Sequence, residues 1–189
     1  MPMWEAGEPD EVLAPEKPFT IEAGSGLQVQ TFEVQSSLKA PRVVKGIAFK
    51  PGDRRVVRYA AIYDAKSGEW LWTWTPWHTS IELPEGVGYR LPANAALKVE
   101  IGYRAAEETV TDKSEVGLYF ADEPSRKHAS RIVLAPPEKM TLDPGASAQK
   151  VRAETKVPGA VNGLAIWPEL GEGARSLEVR AIAPDGVVS

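Results

Sequence analysis

Residues 43–63, VVKGIAFKPGDRRVVRYAAIY, decide the fold class of this chain. Val43 to Phe49 and Val56 to Tyr63 are rich in β-branched and aromatic residues, which favour strands. Between them, Lys50-Pro51-Gly52-Asp53 carries Pro and Gly at the positions where a chain reversal needs them. The stretch therefore predicts two strands joined by a turn.

The same strand signature recurs along the chain. Gln28 to Val34 alternates, with Val29, Thr31 and Glu33 on one face and Gln30, Phe32 and Val34 on the other. Further strands are predicted at Glu69–Thr75, Ala96–Arg104, Glu115–Ala121, Arg131–Ala135, Lys150–Val157, Val161–Trp167 and Ser176–Ala183. Because no window carries a sustained helical period with caps, the sequence predicts an all-β fold, a jelly-roll-like antiparallel β-sandwich.

A polar run at Asp122 to Lys127 interrupts the strand pattern and marks a candidate domain boundary. Residues 1–123 are predicted to form a first jelly-roll-like β-sandwich. Residues 124–189 are predicted to be a second, partial β-sandwich that packs on the first or on a partner, because so few strands make a marginal core alone.

The composition of the 189 residues excludes several classes of function. A net charge of −4 argues against a nucleic-acid partner, which needs clustered basic charge. No apolar run approaches the roughly 20 residues that span a bilayer, so the chain is expected to have no transmembrane segment of its own. The acidic residues 1–15 are not expected to be a signal peptide. With no Cys, disulfides and thiolate metal sites are excluded.

The most unusual local feature is a tryptophan cluster, Trp70, Trp72, Trp74 and Trp77. In a regular strand, positions 70, 72 and 74 point to one face. The cluster could be a ligand platform on which sugar rings stack, an anchor of a protein interface, or part of the sandwich core. The sequence leaves these three interpretations open.

Histidine is scarce, which limits metal and acid–base chemistry. His78 and His128 are the two in the chain, and neither has another ligand at metal-binding spacing on its own element. No nucleophile-elbow motif occurs, so no catalytic residue is predicted.

Several motifs occur in a characteristic order from Trp4 to Gly186, nearly the whole chain. They are WEAGEPDEV at 4–12, Pro18-Phe19, KPGDRRVV at 50–57, LPEGVGYRLPA at 83–93, TDKSEVGLYF at 111–120 and AIAPDG at 181–186. In this order they resemble bacterial relatives of the copper type II, ascorbate-dependent monooxygenases of the peptidylglycine hydroxylase type. The resemblance implies two tandem jelly-roll-like β-sandwiches, each holding one copper, with substrate hydroxylated between them.

The copper ligands that the resemblance implies are substituted in this sequence. Arg58 and Tyr59 stand where the family has a His-His pair after the Pro-Gly turn, and Gly102 stands where a His precedes a Tyr. In the segment that resembles the family's Pro-His-x-His, Glu169 and Gly171 replace the imidazoles. The family's methionine ligand has no counterpart, so the second domain is interpreted as truncated.

Together these observations predict a non-catalytic structural or interaction subunit, without a cofactor, derived from a copper monooxygenase scaffold. It would dock on a larger protein assembly, with a membrane-associated electron-transfer or photosynthetic complex as the natural host. By resemblance, the location is periplasmic or otherwise extracytoplasmic. One alternative is a carbohydrate- or small-ligand-binding module that uses Trp70, Trp72 and Trp74. The other is an enzyme with a metal site rebuilt from residues such as Glu169, His78 or His128.

Overall fold

The chain divides into two compact units, Met1–Ile132 and Val133–Ser189. The structure is a computed structural model that describes residues 4–134, 143–157, 159–168, 175–184 and 186. The described residues include no helix of the length and apolarity needed to cross a bilayer. All strands described below belong to the first unit.

The first unit is built from twelve strands within the described residues. They are β1 (Glu11–Leu13), β2 (Phe19–Ile21), β3 (Leu27–Gln35), β4 (Arg42–Lys50), β5 (Val57–Asp64), β6 (Trp70–Trp74), β7 (Ser80–Glu82), β8 (Val87–Leu91), β9 (Ala96–Arg104), β10 (Val110–Asp112), β11 (Glu115–Phe120) and β12 (Lys127–His128). The expected all-β class is therefore confirmed.

Two sheets organise these strands. One has the order β1-β11-β4-β8-β12, with β7 pairing with β4, and the other has the order β3-β9-β5-β6. Strands β2 and β10 form a separate two-stranded pair. All pairings are antiparallel except that of β12 with β8.

The hydrophobic core is formed by side chains from both sheets. Its largest fully buried residues include Ile47 and Leu118 from one sheet and Trp72, Trp74 and Tyr103 from the other. The rings of Phe49 and Trp74, one from each sheet, lie 5.3 Å apart between centroids. Packing of this kind is that of a β-sandwich.

The N-terminal segment packs against the outside of the first sheet. The Phe120 backbone N–H donates to Asp10 Oδ2 at 2.6 Å and so attaches this segment to β11. The two residues are 110 positions apart in the sequence. The Trp4 ring lies so close to Gly117 that a Cβ on this glycine would be 3.0 Å from it. The pairing of β1 with β11 continues this contact along the sheet edge.

Alternation of apolar and polar residues predicted the long strands correctly. Strands form at the positions predicted from Gln28–Val34, Val43–Phe49, Val56–Tyr63, Glu69–Thr75, Ala96–Arg104 and Glu115–Ala121, with shifts of at most one residue at their ends. On β3, Val34 is buried and Phe32 half-buried, whereas Val29, Thr31 and Glu33 are exposed, as the pattern predicted. Among the described residues, β1, β2, β7, β8, β10 and β12 were not predicted; all but β8 have only two or three residues, which carry too little alternation.

The strands predicted in the C-terminal third were wrong for the described residues. Residues 131–134, 150–157, 161–167 and 176–183 form no strand there, although Ile182 takes part in an isolated bridge. Their apolar side chains are exposed, with Val161 at 57% and Ile166 at 66%. When no second layer covers the apolar face, forming a strand costs backbone conformational entropy. Little apolar surface is buried to offset that cost. Residues 127 and 128, beyond the predicted boundary at 123, pair with β8 as β12.

Candidate functional site

The tryptophan cluster does not lie on one face, because strand β6 carries a β-bulge. Tyr63 pairs with Trp70 and Ile62 with Trp72, so Leu71 is an extra residue. A bulge of one residue reverses the alternation on its far side. Trp72 and Trp74 therefore point into the core, each 1% exposed, while Trp70 is half-buried on the opposite face.

The burial of two of the three rings contradicts the predicted ligand platform. Trp72 and Trp74 are core residues whose rings a ligand cannot reach in this fold, so a platform of Trp70, Trp72 and Trp74 is wrong. Trp77 lies in the turn after β6 and is 87% exposed. A single exposed aromatic side chain is common on protein surfaces and needs no ligand to explain it.

A second bulge lies on the neighbouring strand, at the positions that resemble copper ligands. Val57 pairs with Tyr103 and Tyr59 with Gly102, so Arg58 is the extra residue and is exposed. Tyr59 and Gly102, far apart in sequence, are consequently cross-strand neighbours on the face turned away from the core. Glu169 and Gly171 lie outside the described residues.

The side chain of Tyr59 fills the space above Gly102. A Cβ at Gly102 would lie 2.9 Å from the Tyr59 Cζ and closer still to Cε1 and Cδ1. The Tyr59 hydroxyl donates to Glu100 Oε1 at 3.1 Å, which fixes the ring across the sheet. Any residue larger than glycine at position 102 would displace this ring.

The face of the β3-β9-β5-β6 sheet that points away from the core, called here the outer face, has three cross-strand rows. The rows follow from the register of the pairings: Val29, Gly102 and Tyr59; then Thr31, Glu100, Ala61 and Thr73; then Glu33, Lys98, Tyr63 and Trp70. The middle row carries small side chains beside one carboxylate. The two flanking rows carry the aromatic rings.

Polar groups contact the aromatic rings on the outer face. The Lys98 Nζ atom lies 4.5 Å from the centroid of the Tyr63 ring, and the Arg131 guanidinium lies 5.3 Å from that of Trp70. The Trp70 indole Nε1 donates to Thr73 Oγ1 at 2.8 Å. The Thr73 hydroxyl, the Glu100 carboxylate and the Lys98 ammonium group are therefore each engaged with one of the rings.

A buried polar network around Asp112 lies at one end of the sandwich, and sequence reasoning missed it. Asp112 is 2% exposed. Its carboxylate accepts from the Tyr103 hydroxyl at 2.9 Å, the Ser114 hydroxyl at 2.7 Å and the Asp53 backbone N–H at 2.9 Å. Burial, and then the Asp112 charge, raise the pKa of Tyr103. The network ties the turn after β4 to the turn after β10.

Gly52 makes this network possible. A Cβ at Gly52 would lie 2.7 Å from Asp112 Oδ1 and would also collide with the Lys113 backbone. The Pro-Gly turn and the Thr111–Phe120 motif, which were recognised separately in the sequence, therefore contact each other directly. In the sequence, these two segments were linked only as successive motifs of the same family resemblance.

A shallow cleft of about 390 Å³ lies beside His128. His128 Nε2 lies 3.4 Å from Glu69 Oε2, and the Tyr89 hydroxyl donates to the Leu71 carbonyl at 2.7 Å. Burial, with a smaller effect of the Glu69 charge, raises the pKa of Tyr89 to about 12. Arg90 and Lys66 also line the cleft, so its charges are mixed.

The two histidines lie on different elements, His128 in β12 and His78 in the turn after β6, where it bridges to Thr75. Among the described residues, no group of three or more His, Cys, Asp or Glu could hold a metal ion. A metal site rebuilt around Glu169 would involve a residue outside the described part of the chain, and it stays a prediction.

Comparison of the chain with protein-family models, with curated proteins and with solved structures finds no match.

Proposed function

We propose that this protein is a non-catalytic interaction subunit, derived from a copper monooxygenase scaffold, that docks on a larger protein assembly through its second unit. The observation that carries the proposal is the exposure of apolar residues with strand spacing in that unit. The extracytoplasmic location and the membrane-associated electron-transfer or photosynthetic host are part of the proposal, and they rest on the resemblance.

The exposed residues of the second unit occur in pairs two positions apart. Leu164 and Ile166 are 47% and 66% exposed, and Leu177 and Val179 are 52% and 43% exposed. In a strand, residues two apart share a face, so each pair would form an apolar stripe. A partner that offers a sheet edge would pair with the backbone and cover the stripe at once.

Covering the apolar side chains supplies part of the free energy of such docking, and hydrogen bonds to the partner's sheet edge add to it. Fully burying a Leu, Ile or Val side chain contributes about 1.5–3 kcal/mol, so covering the exposed half contributes about 1 kcal/mol each. Four such residues contribute about 4 kcal/mol, which is the scale of the cost of ordering a segment on binding.

The contact between Tyr59 and Gly102 supports the non-catalytic part of the proposal. An imidazole at position 102 would require the Tyr59 ring to leave its place on the sheet, because the ring already overlaps the site of a Cβ. Tyr59 and Gly102 therefore pack against each other as a pair. Arg58, exposed at the bulge, brings a permanent positive charge beside them.

The experiment is affinity purification of the tagged full chain from its native source, with mass spectrometry of the proteins recovered. The test variant is Leu164→Ser with Ile166→Ser, and the matched control is Leu27→Ser, an apolar residue in the first unit that is 77% exposed. We expect the same partner at stoichiometric amounts with the wild-type chain and the control. The double variant should reduce recovery about tenfold or more.

Hydrogen exchange identifies the contact itself. In the recovered complex, amides within residues 150–168 should exchange more slowly than in the isolated chain, because strand pairing protects them. A chain that elutes alone and monomeric would refute the proposal. So would equal recovery of the partner with the double variant and with the control.

A further inference from the structure

We propose that strand β3 is the contact surface between two copies of this chain, which pair edge to edge through their β3 strands. The two strands run antiparallel, and the two-fold axis lies at Thr31. The pairing extends the four-stranded sheet of one copy into that of the other. It uses the first unit alone and is independent of the docking proposed for the second unit.

The strands at the four ends of the two main sheets differ in how they are protected. Strands β1 and β12 have only three and two residues, and β6 carries the bulge at Leu71. Strand β3 has nine residues, and its register with β9 continues through all nine without a bulge. Short length and bulges are means by which proteins prevent pairing between sheet edges. Among the described residues, β3 is the end strand of a main sheet that lacks both.

Alternate backbone groups of β3 point away from β9. The Ala105 N–H donates to the Gly26 carbonyl at 3.0 Å, in the same register as the strand pair. At the other end, the Ser36 N–H donates to the Ala95 carbonyl at 2.8 Å. The even-numbered residues of β3 therefore face β9, and the odd-numbered residues face the open edge. Residues 27, 29, 31, 33 and 35 are all exposed, and their backbone groups have no hydrogen-bond partner in the described part of the chain.

The length of β3 is sufficient for a specific contact. Its nine residues extend over roughly 30 Å. With Thr31 opposite Thr31, two antiparallel β3 strands overlap over their full length, and all the outward-facing residues pair with one another. Each such pair exchanges two hydrogen bonds, which gives about ten in total. A typical protein interface contains a similar number.

The side chains of β3 are compatible with a second copy of the same strand. Glu33 is its one charged residue, and this register places Glu33 opposite Val29 of the second copy. The two Thr31 residues face each other, and paired threonines are favourable between antiparallel strands. Leu27 and Val29, which are 77% and 56% exposed, gain neighbours across the axis. β3 also contains no Lys or Pro, the residues that commonly prevent such pairing.

Sedimentation velocity of the purified full chain, over a range of about 5 to 500 μM, tests the pairing. We expect a reversible dimer that forms in this range, because an interface of one strand pair is small. Thr31→Lys should weaken the association about tenfold or more, since two ammonium groups would then meet at the axis. The matched control is Thr111→Lys, the same substitution at an exposed residue of β10, which should leave the association unchanged.

Amide hydrogen exchange, measured by NMR, locates the contact residue by residue. The even-numbered amides of β3 are bonded to β9 and should be protected at every protein concentration. The amides of Val29, Thr31 and Glu33 should exchange rapidly in the monomer and slowly in the dimer. Protection that alternates along the strand in this way is specific for pairing at its edge.

Cysteine crosslinking tests the register, because the chain has no native Cys. Thr31→Cys should crosslink to itself with a short bismaleimide. Leu27→Cys should not, because Leu27 lies opposite Gln35 of the second copy, so the two Leu27 residues are roughly 27 Å apart. Thr111→Cys controls for crosslinking by random collision.

Three results would overturn the proposal. The first is a folded chain that remains monomeric at every concentration, and the second is equal weakening by Thr31→Lys and Thr111→Lys. The third is protection of the odd-numbered amides without self-crosslinking of Thr31→Cys, since that would assign the edge to a different strand. Thermal melts of every variant exclude loss of fold. Leu164→Ser with Ile166→Ser should dimerise normally, so failure of the docking proposal and failure of this one are distinguishable.

Discussion

Replacing Gly102 with Ala tests the contact with Tyr59 quantitatively. Gly102 is not among the glycines with a positive φ, so alanine is compatible with its backbone. In a strand, Ala should be more stable than Gly by about 0.5–1 kcal/mol. The new Cβ, however, would lie 2.9 Å from Tyr59 Cζ and nearer to two other ring atoms. Displacing the ring and its bond to Glu100 costs about 1–3 kcal/mol, so Gly102→Ala should be destabilising.

The sign of this effect should reverse when Tyr59 is absent. In a Tyr59→Ala background the clash disappears, and Gly102→Ala should then be neutral or stabilising by up to about 1 kcal/mol. The coupling free energy between the two positions is therefore about 2 kcal/mol. For a unit of this size, that corresponds to a difference in Tm of roughly 8 °C between the two backgrounds.

Urea denaturation of all four proteins measures the coupling. Tryptophan fluorescence, to which the buried Trp72 and Trp74 contribute, follows unfolding, and near-UV circular dichroism checks that the transition is two-state. Additive effects of the two substitutions, with a coupling below about 0.5 kcal/mol, would show that Tyr59 does not lie over Gly102.

Three further predictions concern the core and its buried polar groups. Asp112→Ala should lower the free energy of unfolding by about 3–5 kcal/mol in urea titrations, because two buried hydroxyls and the part-buried Asp53 N–H lose their acceptor. A loss below about 1 kcal/mol would contradict the network. The pKa of Tyr89 is raised to about 12 in the folded protein, above its unfolded value near 10. The contribution of Tyr89 to stability is therefore complete below pH 10 and is lost as the pH rises toward 12. Tyr89→Phe should remove part of that alkaline loss, and absorbance titration at 295 nm should show one fewer late-ionising phenol; an unchanged titration would refute it. Trp74→Ala should cost about 3–5 kcal/mol in thermal melts, whereas Trp77→Ala should stay within about 0.5 kcal/mol, and similar values for the two would contradict their burial.

The alternation of apolar and polar residues predicted strands correctly in the first unit, where each strand pairs with a neighbour. The alternation in Gln28–Val34 matches the burial of β3, and the Pro-Gly turn at 50–53 lies between two strands as expected. In the second unit the same kind of pattern predicted strands that the described residues do not form. The difference is physical, because alternation stabilises a strand only when another layer covers its apolar face.

The site could not be predicted from the sequence, because bulges depend on cross-strand register. Nothing in WLWTW at 70–74 shows that Leu71 has no pairing partner on β5. Without that information, the sequence pattern places the rings of Trp70, Trp72 and Trp74 on one face. Tyr59 was recognised only through its resemblance to a ligand position, and Tyr63 was not singled out. Both rings reach the outer face through pairings with residues about 40 positions later.

The closure of the first sheet by β1 constrains how the unit forms during synthesis. Phe120 and Asp10, which bond across this edge, are 110 residues apart, so the ribosome releases β1 about 5–20 s before its partner. From the synthesis of β4 until β11 is made, the edge of β4 that pairs with β11 has no partner. Such long-range pairing places the unit among slow-folding β proteins, for which the last step of assembly follows completion of β11. A nascent chain arrested before residue 115 should therefore bind a chaperone or a hydrophobic dye, and one that extends well beyond β11 should not.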